Sequence, residues 1–86
     1  MPNKDDFRRA LSEEIEAAAR AGRPYADINA GELHRLVGGY PGYGHSMPSC
    51  CDVLYDEHDH GRADILSSPP KGKGASLTIR YHLPRR

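Results

Sequence analysis

Residues 38–47, GGYPGYGHSM, hold four glycines and a proline in ten positions. No helix interior and no central strand tolerates that density of breakers, because glycine leaves the backbone unrestrained and proline removes an amide donor. The chain must cross this region as a loop. On either side, residues 29–37 and 47–56 carry apolar side chains at helical spacing. The expectation is two short helices, spanning about residues 30–58, held apart by a loop rich in glycine and tyrosine.

The flanks fill in around that pair. Phe7, Leu11, Ile15 and Ala18/Ala19 recur every three to four residues and predict a first helix over about residues 5–21. Asp5 or Asp6 is the expected cap, with Gly22 as its stop and Pro24 beyond. Residues 25–28 are extended in character, where a winged helix often holds a small strand. Asn29 with Glu32 predicts the start of the second helix, as a variant of the capping box. Leu33, Leu36 and Val37 form its expected buried face, with Glu32 and Arg35 outward and His34 at the edge. Pro48 suits the first turn of the third helix, whose packed side is Met47, Cys51, Leu54 and Tyr55. Leu77, Ile79, Tyr81 and Leu83 alternate with Thr78, Arg80 and His82, the pattern of a half-buried strand. Its expected partner is residues 64–67, giving a hairpin over about residues 64–83. The connection SPPKGKG reads as an exposed tip with two lysines. The whole of residues 1–86 is expected to be one α+β domain. It is winged-helix-like, with three helices followed by a β-hairpin wing, and its helix-turn-helix has an enlarged turn.

Composition narrows the class. The 86 residues carry twelve basic and twelve acidic side chains, so net charge is zero. The distribution is uneven: residues 1–44, 45–60 and 61–86 sum to −1, −4 and +5. The acidic patch falls on the third helix and the basic excess on the hairpin. No apolar run approaches the roughly 20 residues of a membrane span, and no leader-like stretch follows the first residues. The two cysteines, Cys50 and Cys51, are adjacent, and neighbouring α-carbons about 3.8 Å apart are too close for an ordinary disulfide. A reduced, cytoplasmic protein is the expectation.

Chemistry is thinly supplied. Cys50, Cys51, His58 and His60, with His45, are the only set resembling metal ligands. Adjacent cysteines and an H-x-H pair do not have the spacing of a zinc site, and side chains at consecutive helical positions diverge by about 100°. No metal site is expected. Cysteine catalysis needs a base and an orienting third group, and no spacing here requires one. His58-Asp59-His60 is too little for a nuclease of the HNH kind. No catalytic residue, cofactor or small-molecule substrate is expected.

Binding is the remaining class. Lys71, Lys73 and Arg80, with Arg85 and Arg86, are candidates for phosphate contacts. Arg35, Tyr43, His45 and Ser49 are candidates near a groove, with Tyr40 and His34 beside them. DNA is therefore one expected partner. Against it stand Asp52, Asp56 and Glu57 on the helix that would enter the major groove. The alternative is a protein-interaction module, or a homodimer built from a dipolar, self-complementary surface. The acidic side chains discriminate. If they point outward between the third helix and the wing, the DNA reading loses its support. If they cap, or pair with Arg35 or Arg62, it keeps it.

The stretches GELHRLVGGYPGYGHSMPSCCDVLYDE and DILSSPPKGKGASLTIRYHLPR carry distinctive text. Over about residues 28–85 the chain resembles a family of small uncharacterised bacterial proteins. They share the pattern GxLHRxVGGYPG with HxMPxCC, and a PPxGxGASLTIRYxLPR ending. The resemblance implies a bacterial single-domain unit and brings no mechanism with it.

Overall fold

A computed structural model describes residues 2–38 and 46–84. In chain order the elements are α1 (Lys4–Arg20), β1 (Tyr25–Asn29), α2 (Ala30–Val37), α3 (Met47–Asp59), β2 (Ala63–Ser67) and β3 (Thr78–His82). They form a small α+β domain of three helices and one antiparallel sheet, with strand order β1-β3-β2. The small strand expected at residues 25–28 is present as β1, between α1 and α2. It pairs along the whole of β3, so the hairpin is extended to a three-stranded sheet with the last strand at its centre.

Local chemistry explains where the elements begin and end. Asn3, not Asp5 or Asp6, caps α1. Its Oδ1 accepts from the Asp6 amide at 3.0 Å, and the Asp6 carboxylate accepts from the Asn3 amide at 3.0 Å. This is a reciprocal capping box, which satisfies two otherwise unpaired donors. At the far end Gly22 takes φ 75°, and the Arg23 amide bonds back to the Ala18 carbonyl at 3.1 Å. Glycine adopts that left-handed turn without steric cost.

The core lies between the helices and one face of the sheet. Leu77, Ile79 and Tyr81 are fully buried there, facing Ala26 and Ile28 of β1. Phe7 and Leu11 come from α1, Leu33 from α2, and Met47, Cys50, Cys51, Val53 and Leu54 from α3. The period-2 alternation of β3 is what aims those three side chains inward. Burying a phenol costs unless its hydroxyl finds a partner. The Tyr81 hydroxyl donates to the Leu54 carbonyl at 2.7 Å.

Three expectations about side-chain placement are corrected. The inward stripe of α2 is Ala30, Leu33 and His34, with Val37 packed beside them. The helix is therefore turned about one residue from the expected orientation, which leaves Leu36 66% exposed. His34, expected at an edge, is buried. Its Nε2 accepts the Ser46 amide at 2.9 Å, and its ring meets Phe7 edge-on at 4.8 Å between centroids. Cys50, outside the expected packed side of the third helix, is also buried, with its thiol toward the Ala30 carbonyl at 3.6 Å.

Candidate functional site

The β2–β3 connection carries Lys71 and Lys73 at exposed positions, as expected, but it is held along α3 through residues 72–74. The Tyr55 hydroxyl donates to the Gly72 carbonyl. The Gly74 amide donates to the Cys51 sulfur at 3.3 Å, and the Cys51 thiol returns a bond to the Gly74 carbonyl at 3.5 Å. Lys73 reaches Asp52 at 2.6 Å, and Lys4 reaches the same carboxylate at 3.5 Å from α1. Pro70 and Lys71 stay at the solvent. The connection then feeds the start of α2. The Gly31 and Ala30 amides donate to the Ala75 and Leu77 carbonyls at 3.1 and 2.8 Å. Gly31 permits this approach, because a Cβ there would stand 3.2 Å from both the Ala75 Cβ and its carbonyl oxygen.

The sheet face turned away from the helices is a row of cross-strand polar pairs. Arg80 grips Asp27 with two parallel bonds, at 2.8 and 3.0 Å. The guanidinium also lies over the Tyr25 ring, 3.9 Å from its centroid, a favourable cation–π geometry. His82 meets Asp64 at 2.7 Å, and the Asn29 side chain donates to the Thr78 hydroxyl at 3.0 Å. These pairs tie β1 and β2 to the central strand.

The charges follow from these contacts. The Lys73 ammonium beside Asp52 holds that carboxyl below its usual range, and the Arg80 fork does the same for Asp27. The carboxylates in turn raise Lys73 and Arg80. Burial pushes the Cys50 thiol up to about 12, with Cys51 beside it adding to the effect. Burial also raises Cys51, against the opposing pull of the Gly74 amide. Thiols held in this way are poor nucleophiles, since the thiolate is the reactive form.

The binding candidates are dispersed. Lys73 is engaged with α3, and Arg80 is on the sheet's outer face. Lys71 is exposed on the connection, Arg35 is exposed on α2, and Ser49 is half-buried near the start of α3. Tyr43 and His45 lie outside the described residues, as do Tyr40, Arg85 and Arg86. Among the described residues no three His, Cys, Asp or Glu side chains are grouped to hold a metal. No helix among them is long and apolar enough to cross a membrane.

A feature absent from the sequence-based expectations sits on the other side of the domain. A groove of about 400 Å³ runs between β1 and α2, with Glu14 of α1 on its rim. Ile28, Leu33 and Leu36 give it an apolar lining, and Glu32 and Arg35 stand on the α2 side. Its sequence signal was Leu36, the second leucine of LHRLV, which has helical spacing from Leu33 and yet falls outside the buried stripe.

Comparisons with known proteins add no relative: no family model, curated protein or solved structure matches this chain.

Proposed function

We propose that this domain is a protein-interaction module. The observation that carries the reading is the engagement of two of the cations nominated for phosphate, Lys73 and Arg80. Lys73 is paired with Asp52 and Arg80 with Asp27, while apolar surface is left open at Leu36, Ile65 and Leu66. A phosphate competing for Lys73 would have to displace a carboxylate and then sit beside it. Two like charges 4 Å apart repel by about 1 kcal/mol even in bulk water.

On the winged-helix reading, α3 would stand in the place of the helix that reads a major groove. Winged helices serve protein partners as well as DNA, so the site and not the fold decides. Asp52 lies between α3 and the connection, paired with Lys73 and Lys4, and Asp56 is exposed on the same helix. Asp52 is thus compensated in place, and it is the outward charge of Asp56 that favours a protein partner over DNA. Two free, buried thiols suit a reducing compartment such as the cytoplasm.

An amide-shift titration with a short random-sequence duplex at low salt tests the choice. The expected result is no saturable shift at Lys71, Lys73, Ser49 or Arg80. Shifts that cluster there and fade as salt rises, with loss in Lys71→Glu, would replace this reading by nucleic-acid binding.

A further inference from the structure

We infer that the open edge of β1 takes up an extended segment of a partner protein as an added strand. This partner strand turns one face, with apolar and basic side chains at every second position, toward the groove beside that edge. The inference deepens the protein-binding reading and rests on it.

The hydrogen-bond register identifies the open groups. In an antiparallel pair, alternate residues exchange both main-chain bonds with the partner, and the residues between them direct theirs outward. The Leu83 amide bonds to the Pro24 carbonyl and the Ala30 amide to the Leu77 carbonyl. Both pairs belong to the same register as Ala26 with Tyr81 and Ile28 with Ile79. Ala26 and Ile28 are therefore the residues of β1 bonded to β3. Tyr25 and Asp27 point their amides and carbonyls away from it. β1 is an edge of the sheet, and no other described segment pairs with it on that side.

The groove lies beside those groups. An edge strand flanked by an apolar groove is the arrangement used in strand addition, where main-chain bonds give affinity and alternate side chains give specificity. An added strand would turn every second side chain toward Ile28, Leu33 and the largely exposed Leu36. The acids on the rim choose the rest of the partner. Glu14 and Glu32 make no ion pair with any described residue, whereas Asp27 is already held by Arg80. Both acids stand on helices, on the groove's side of the sheet, so lysine or arginine on the same face of the added strand as its apolar side chains would answer them. The other edge is less suited, because a bulge between Ile65 and Ser67 interrupts β2, a device that blunts edge pairing.

The test is selection of a randomised nonapeptide library, displayed on phage, against the folded domain. Selected peptides are then synthesised and titrated calorimetrically. The expected sequences place apolar and basic residues at every second position, on one strand face, and their amide shifts fall on residues 25–29, 33 and 36. Leu36→Lys and Glu32→Lys, both at exposed positions, should each weaken binding at least tenfold with the fold retained by circular dichroism. N-methylation of alternate peptide amides should abolish binding at one phase and spare it at the other. Failure to enrich any peptide overturns the proposal, as does binding unaffected by Leu36→Lys. Binding indifferent to N-methylation removes strand addition and leaves the protein-binding reading standing. Self-association of the unmodified domain, lost in Leu36→Lys, would make a second copy the occupant instead. Duplex binding through Lys71 and Lys73 would remove the protein-binding reading itself.

Discussion

Asp52 of α3 and Lys73 of the β2–β3 connection meet at 2.6 Å, and the contact is the most direct link between the acidic helix and the basic hairpin. It converts a dipolar sequence into an internally compensated surface. Both side chains remain partly exposed, so salt screens the pair, and the neighbouring bonds from Gly72 and Gly74 hold the connection with it.

Stability should therefore fall on the acid side. Asp52 and Asp27 both have folded pKa values depressed by their cations, Lys73 and Arg80 respectively. A depressed carboxyl contributes stability above its unfolded value, about 3.9, and loses it as pH drops through the folded value. Lys73 is raised, so the basic limb is lost only as pH climbs beyond about 10.4. Urea unfolding followed from pH 7 to pH 2 should show the acid slope, reduced in Asp52→Asn and further reduced with Asp27→Asn added.

Asn29 serves two elements at once. Its Oδ1 caps α2 by accepting the Glu32 amide at 3.0 Å, and its Nδ2 reaches Thr78 on β3. Loss of an N-cap costs about 0.5–2 kcal/mol, and loss of a further net hydrogen bond about 1 kcal/mol. Asn29→Ala should lower the unfolding free energy by about 2 kcal/mol. Asn29→Asp, which keeps the cap, should recover part of that in the same denaturation experiment.

The central strand should be the least forgiving. Ile79 is fully buried and faces Ile28 and Ile65 across its two neighbours. Ile79→Ala should cost about 2–5 kcal/mol, a large share of the roughly 5–15 kcal/mol that small domains possess. Tyr81→Phe removes the bond to Leu54 and should cost about 1 kcal/mol. Paired thermal melts of the two variants would order them.

Both thiols should resist modification. Cys50 and Cys51 are buried, and burial drives Cys50 up to about 12. Labelling with a disulfide reagent at pH 8 should be slow in the native protein and should reach both cysteines promptly in denaturant. Fast native labelling of Cys50 would contradict the packing of the first turn of α3.

Much of the fold could be read from residue spacing. The alternation from Leu77 to Tyr81 placed β3 on the core, and the breakers after Val37 separated α2 from α3. Phe7 and Leu11 marked the buried side of α1. Other features depended on contacts that no spacing encodes. An eight-residue helix can turn by one position at little cost in local pattern, and His34 took the inward place because Ser46 supplies its bond. Lys73 and Arg80 looked like free cations because their partners, Asp52 and Asp27, lie 21 and 53 residues away. The groove escaped notice for the same reason: it is made by three elements, and only Leu36 hinted at it.

The first amides of α2 do not end in water or in a side chain alone. Ala30 and Gly31 donate to carbonyls of residues 77 and 75, more than forty positions along the chain. The helix therefore has no complete beginning until the last strand has arrived. A partial opening that frees β3 strips α2 of its N-terminal bonds, and fraying of α2 exposes the backbone just ahead of β3. The two ends of the sequence should thus melt as one cooperative unit, with no free-standing N-terminal half. Amide exchange in α2 and β3 should share a single opening free energy.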